Sequence, residues 1–138
     1  MDNTIEETAF EFLRSQKEVA FATIEDNKPK IRTFQIMKQE EKSLYFTTAP
    51  GKEVYRQLLR NPCIELLAMK ENTFVRIAGE AVFDVNSQTA MNIYISTPIL
   101  QQLYTKYSDL VYFRVPIRQM DYYDLIPNPP LQEHYDYQ

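Results

Sequence analysis

Apolar residues near the start of the chain recur at helical spacing. Ile5, Ala9 and Phe12, joined by Phe10 and Leu13, form one stripe behind Thr4 and Glu7, a Thr-x-x-Glu start signal. This predicts a helix over Thr4 to Gln16. The period then shortens: Glu18 to Glu25 is dense in Val, Ala, Phe, Thr and Ile and stops at Asp26-Asn27, which tolerate positive φ. A return strand over Lys30 to Met37, a turn near Glu40-Glu41-Lys42 and a strand over Ser43 to Thr48 complete an expected three-strand meander.

After Ala49-Pro50-Gly51, helical spacing returns in Val54, Tyr55, Leu58 and Leu59, until Asn61-Pro62 ends it. Cys63 to Lys70 and Phe74 to Val85 predict a hairpin turning at Glu71-Asn72-Thr73, with Gly79 marking a bulge. Ser87 and Ser96-Thr97-Pro98 open two short helices over about Ser87 to Tyr107. Leu110 to Ile117 and Met120 to Ile126 predict two closing strands, and Pro127-Asn128-Pro129-Pro130 ends the sheet. The expected organisation is one domain over residues 1–126 and a Pro/Tyr-rich tail over 127–138. Short strands in sequential hairpins with few helices predict a mainly β protein: an antiparallel, closed or nearly closed barrel with peripheral helices.

Composition narrows the chemistry. Fifteen Lys plus Arg against nineteen Asp plus Glu give a net charge of −4, the wrong sign for counterion-release binding to nucleic acid. No apolar run approaches the roughly 18 residues of a membrane span, and the acidic start lacks the features of a signal peptide, so a cytoplasmic protein with no membrane partner is expected. A single cysteine, Cys63, and a single histidine, His134, rule out an internal disulfide, a Cys/His zinc site and a Cys/His nucleophile pair. Two glycines, Gly51 and Gly79, leave no room for the glycine-rich phosphate loops or the nucleophile elbow. No residue reads as catalytic. Cys63 is expected as a buried inert thiol, and His134 as an incidental tail residue. Eight of the ten tyrosines follow residue 90, which suggests that the C-terminal third faces a partner subunit.

The stretch Leu44-Tyr45-Phe46-Thr47-Thr48-Ala49-Pro50-Gly51-Lys52 runs from a strand ending in hydroxyls into a helix start. Backbone N–H groups, the Thr47 and Thr48 hydroxyls and the Lys52 ammonium can hold a phosphate there. The plainer alternative is that the threonines cap the helix and Lys52 is solvated. Arg32 shares a strand face with Phe34 and Ile36, odd neighbours for a solvated arginine; its plainer reading is a rim residue paired with Glu25. Arg76 is read as either contacting a ligand across a dimer or, the favoured reading, pairing with Glu80 along the same face.

Taken in order, Arg32-Thr33-Phe34-Gln35-Ile36-Met37, Tyr45-Phe46-Thr47-Thr48, Lys52, Gln57-Leu58, Asn61-Pro62 and Phe74-Val75-Arg76-Ile77-Ala78-Gly79-Glu80-Ala81 resemble the pyridoxamine 5'-phosphate oxidase-related flavoproteins. The resemblance covers roughly residues 1–126. It implies an FMN-binding split β-barrel that dimerises, with flavin between the subunits. Carried over, Arg32 and Lys52 bind the FMN phosphate with help from Thr47 and its neighbour Thr48, while Thr33, Phe34 and Gln35 border the isoalloxazine ring. The chain departs from the vitamin B6 oxidase in two places. Phe74 stands where that enzyme has a flavin-contacting glutamine, and Met120 stands where a histidine would follow Arg118. The resemblance therefore implies an FMN-dependent oxidoreductase, homodimeric and acting on a small molecule other than vitamin B6 phosphate. The alternative is a non-catalytic flavin or haem binding, storage or sensor module on the same barrel.

Overall fold

A computed structural model describes residues 4–137. The first element is helix α1, Ile5–Ser15, capped by Thr4, whose Oγ1 accepts from the Glu7 N–H at 3.1 Å. Strands β1, Glu18–Glu25, and β2, Lys28–Gln35, form a hairpin whose turn residues Asp26 and Asn27 take φ of 52° and 62°. The return strand thus begins and ends two residues earlier than its composition suggests. Next come β3, Lys38–Glu40, and β4, Ser43–Thr48, followed by helix α2, Glu53–Arg60. A second hairpin, β5, Cys63–Lys70, and β6, Thr73–Glu80, precedes helices α3, Ser87–Ser96, and α4, Pro98–Leu103. The chain ends in β7, Val111–Asp124, and β8, Leu131–Asp136.

All pairings are antiparallel, in the order β2-β1-β5-β6-β7-β4-β3, with β8 also on β7. The expected meander is therefore wrong: β2 and β4 are not bonded to each other and lie apart in the strand order. The chain passes between them at residues 36–37, where the Ile36 N–H donates to Lys17 O and the Met37 N–H to Tyr45 O. Those two bonds curl the sheet into a barrel and leave it split beyond them, between the body of β2 and the end of β4.

Two further expectations fail for long-range reasons. The two closing strands are one, because β7 bends without breaking: its register against β6 shifts between Ala78 and Gly79, placing Arg118 in the bulge. A Cβ on Gly79 would lie 2.6 Å from Pro116 O, so only glycine permits this close approach. Past the four-residue Pro127–Pro130 stretch, the segment read as a tail returns as β8 and pairs with β7 from Gln119 to Asp124.

Inward positions follow the strand period of two. Phe21, Phe46 and Phe113 are fully buried, and Phe34 packs on Phe21 and Phe46 with ring centroids 4.8 and 5.6 Å apart. Truncating one such ring costs about 3–5 kcal/mol. Ile93, Leu100 and Leu110 form a smaller cluster with Tyr94, Tyr104 and Tyr112, where α3 and α4 cover the outer side of β4 and β7. Tyrosines expected at a subunit boundary thus partly serve this internal layer. Among the described residues, no helix is long and apolar enough to cross a membrane.

Candidate functional site

The split holds a groove of about 310 Å³. Arg32, Thr33 and Phe34 of β2 form one bank, Thr47 and Thr48 of β4 with Lys52 and Val54 the other, and Leu100, Leu103, Tyr104 and Leu110 an apolar wall. Six of the seven residues marked in the sequence therefore meet in one place. Gln35, the seventh, does not: it lines a neighbouring groove on the far side of Pro98 and Ile99.

Arg32 sits opposite Phe21 in the β1–β2 register and turns into the barrel. Its Nη1 donates to Thr23 Oγ1 at 2.8 Å and to Phe21 O at 3.2 Å, and its Nη2 donates to Gln57 Oε1 at 2.8 Å. The Thr23 hydroxyl also donates to Gln57 Oε1, at 2.6 Å. Every acceptor is neutral. Glu25, the expected partner, is taken instead by Arg56 at 2.8 Å, with Gln57 Nε2 donating to its other oxygen at 3.3 Å. Burial holds the Arg32 pKa below its ordinary value, while the Glu53 charge acts weakly the other way. Because arginine stays protonated in proteins, the result is a half-buried positive charge without a carboxylate, which an anionic ligand would stabilise.

Lys52 is the N-cap of α2, and no side chain caps that helix, so Thr47 and Thr48 do not perform the capping that was the simpler reading. Both threonines are buried, and neither hydroxyl bonds another side chain among the described residues. Lys52 forms no ion pair among the described residues. Lys52 is exposed, as the plainer reading expects, and a half-buried arginine, a nearby lysine, two hydroxyls and an open helix N-terminus suit a phosphate, while the apolar wall suits an attached ring system. The residues therefore fit an FMN-like ligand.

Sequence reasoning missed Thr23 and Gln57, each only 1% exposed. The signal was available: Thr23 follows Val19 and Phe21 in the inward phase of β1, and Gln57 shares the buried face of α2 with Val54 and Leu58. A polar residue on each apolar face marks a polar partner inside.

Three residues set aside for plain roles also differ from expectation. Cys63 is exposed, because the buried phase of β5 belongs to Ile64, Leu66 and Ala68. His134 is no tail residue: its Nδ1 lies 2.6 Å from Asp121 Oδ1 across the β7–β8 pair. Arg76 pairs with that same Asp121 at 3.1 Å, not with Glu80, which Arg118 takes at 3.2 Å. Among the described residues, no group of three or more His, Cys, Asp or Glu is placed to hold a metal ion.

An antiparallel barrel split open at a cationic groove defines the class, a split β-barrel. The chain belongs to the pyridoxamine 5'-phosphate oxidase family, whose profile matches residues 5–121. Solved structures share the fold. A NimC/NimA family protein from Clostridium acetobutylicum is 21% identical with TM-score 0.75, over 95% of this chain and 91% of that one. A pyridoxamine 5'-phosphate oxidase-related, FMN binding protein from Nostoc punctiforme is 16% identical with TM-score 0.72, over 96% and 88%. A heme binding protein from Mycobacterium smegmatis is 14% identical with TM-score 0.78, over 99% of this chain but 59% of that one. At these identities the likeness carries the fold alone. Among curated proteins, no relative matches the chain.

Proposed function

We propose that the groove in the split binds FMN in a homodimeric flavoprotein that acts as an oxidoreductase on a small molecule other than vitamin B6 phosphate. The observation that carries this reading is Arg32, a half-buried cation bonded only to neutral acceptors beside the unpaired Lys52. In this reading Arg32 and Lys52 hold the phosphate, the Thr47 and Thr48 hydroxyls lie beside it, and Thr33 and Phe34 border the ring, with Gln35 in the adjoining groove. FMN, when bound, supplies the hydride or electron transfer. The chain's own residues bind, orient and exclude water: Thr23 and Gln57 fix the guanidinium, and Leu100, Leu103 and Tyr104 keep one side of the groove dry.

At about 310 Å³ the groove is at the small end for a ligand of this size, which favours a second subunit completing it. The outer face of the β1–β2–β5 sheet supports the same idea, since it presents Ile31 and Met69, 71% and 63% exposed. One solved neighbour binds FMN and another haem, and the lining of the groove, which holds no histidine, favours flavin. The test is reconstitution with FMN followed by gel filtration and a visible spectrum. A yellow protein with about one FMN per subunit is expected; colourless protein overturns the assignment. Sedimentation should give a dimer, and dilution should release flavin and lower the melting temperature together. A monomer retaining full FMN affinity would overturn the shared site.

A further inference from the structure

On the other side of α4 runs a second groove, of about 490 Å³. Arg14 in the last turn of α1, Lys17 between α1 and β1, and Lys38 of β3 line it, and no carboxylate does. That is unusual in a chain of net charge −4 with nineteen acidic residues. Lys38 shares its charge with Glu40 at 3.0 Å, and Arg14 donates to the Gln39 carbonyl at 3.2 Å. Lys17 forms no ion pair among the described residues. Solvated lysines on a convex face would need no explanation. These cations instead line a concavity together with Ile36, Met37 and Ile99.

The two grooves share walls. Strand β2 gives Arg32, Thr33 and Phe34 to the first and Gln35 to the second, while α4 gives Leu100 and Leu103 to the first and Pro98 and Ile99 to the second. Along a strand, Gln35 lies about 10 Å from Arg32. A ligand in one groove therefore has the other within a molecule's length, with β2 contributing to both.

We propose that the second groove binds an organic polyanion, a carboxylate or phosphate compound, held by Arg14 and Lys17, which meets the ligand of the first groove along β2. Its role as a co-substrate rests on the flavin reading above; its existence as an anion site does not. The Gln35 amide, which borders this groove and not the first, is the polar side chain at the junction.

The experiment is isothermal titration of both the apo and the FMN-loaded chain, at low ionic strength, with NADPH, pyrophosphate and citrate. Three proteins are compared: the wild type, Arg14→Ala/Lys17→Ala, and a control, Lys28→Ala/Lys30→Ala, that removes the same charge from the exposed β1–β2 hairpin. At least one probe should bind the wild type and the control alike and bind the Arg14/Lys17 variant about tenfold or more weakly. FMN affinity should be the same in all three. NADPH and pyrophosphate against citrate separate phosphate from carboxylate recognition. Equal weakening in the two double variants would reduce the effect to net charge and overturn the site, as would a wild type that binds none of the probes. If FMN does not load, the flavin reading falls while the apo titration still decides this one.

Discussion

Two arginines stand on strands of the same sheet in opposite circumstances. Arg32 turns inward, meets Thr23, Gln57 and a backbone carbonyl, and has its pKa lowered by burial. Arg76 turns outward and donates to Asp121 at 3.1 Å and to the Tyr123 hydroxyl at 3.2 Å, with Glu65 at 3.8 Å, and the hydrogen bond to Asp121 raises its pKa. Side-chain type and strand period are the same for both; the charge of the partners differs. On the outer face the network Arg76–Asp121–His134 is closed upon itself around a buried carboxylate. On the groove side polar groups are left open. The two buried polar side-chain atoms without a partner among the described residues are Gln39 Oε1, at the second groove, and Tyr112 Oη, in the layer under α3 and α4. Structural charges are paired within the chain, whereas a binding groove keeps its charges for a ligand.

The largest effect expected from this contrast is on flavin. Arg32→Ala should weaken FMN about tenfold to a hundredfold, the worth of a charge-assisted contact of about 1.5–3 kcal/mol, and Lys52→Ala should act in the same direction. Riboflavin, lacking the phosphate, should respond to neither. Arg76→Ala should leave both ligands unchanged. Fluorescence titration with the two flavins checks all of this. Equal losses for FMN and riboflavin in Arg32→Ala would mean that the guanidinium serves the barrel and not a phosphate. A loss in Arg76→Ala would mean that the outer face of a second subunit reaches the cofactor.

Next in size is the outer network. Asp121 is buried and holds Arg76 and His134 at once, so Asp121→Ala strips the polar anchor between β7 and β8. A loss of about 1–3 kcal/mol is expected in urea unfolding, with FMN affinity unchanged. His134→Ala should cost less, since Arg76 keeps its carboxylate. Proteolysis near the C-terminus should rise in Asp121→Ala if β8 is released first. Intact protection together with lost flavin would break the separation drawn between the two faces.

How far the sequence anticipates this depends on the range of the interaction. β1 and its Asp26-Asn27 turn are legible because alternation and positive-φ residues are local signals. The continuity of β7 is not, because Arg118-Gln119 reads as a break until Gly79 of β6 is known to lie opposite and absorb the bulge. β8 is hidden behind a proline run that does end one strand but not the sheet. In the site, Arg32, Thr47, Thr48 and Lys52 stand out through local chemistry. Their internal supports, Thr23 and Gln57, needed the fold to bring residues 34 positions apart within 2.6 Å. Gln35 falls in the other groove because β2 ends there and the chain crosses toward β4.

The smallest expected effect tests whether the layer beside the groove, under α3 and α4, leaves a polar group open. The Tyr112 hydroxyl has no partner among the described residues, and burial pushes its pKa up to about 12, with Tyr94 and Tyr107 adding to the shift. The folded value thus lies above the roughly 10 of an unfolded tyrosine. The unfolded chain releases this proton first, so the stability tied to the neutral phenol is complete below about pH 10 and is lost as pH rises toward 12. Tyr112→Phe removes an unpaired hydroxyl and keeps the ring against Ile93, Leu100 and Leu110. Its stability at neutral pH should match the wild type or exceed it by less than about 1 kcal/mol. Above about pH 10 its melting temperature should fall less steeply than that of the wild type, because one late-titrating group is gone. Calorimetry across that range reads both. A variant less stable by more than about 1 kcal/mol at neutral pH would show that water or a neighbouring group satisfies the hydroxyl. The layer under α3 and α4 would then be as fully paired as the outer face, and the contrast would rest on the groove's own residues, Arg32 above all.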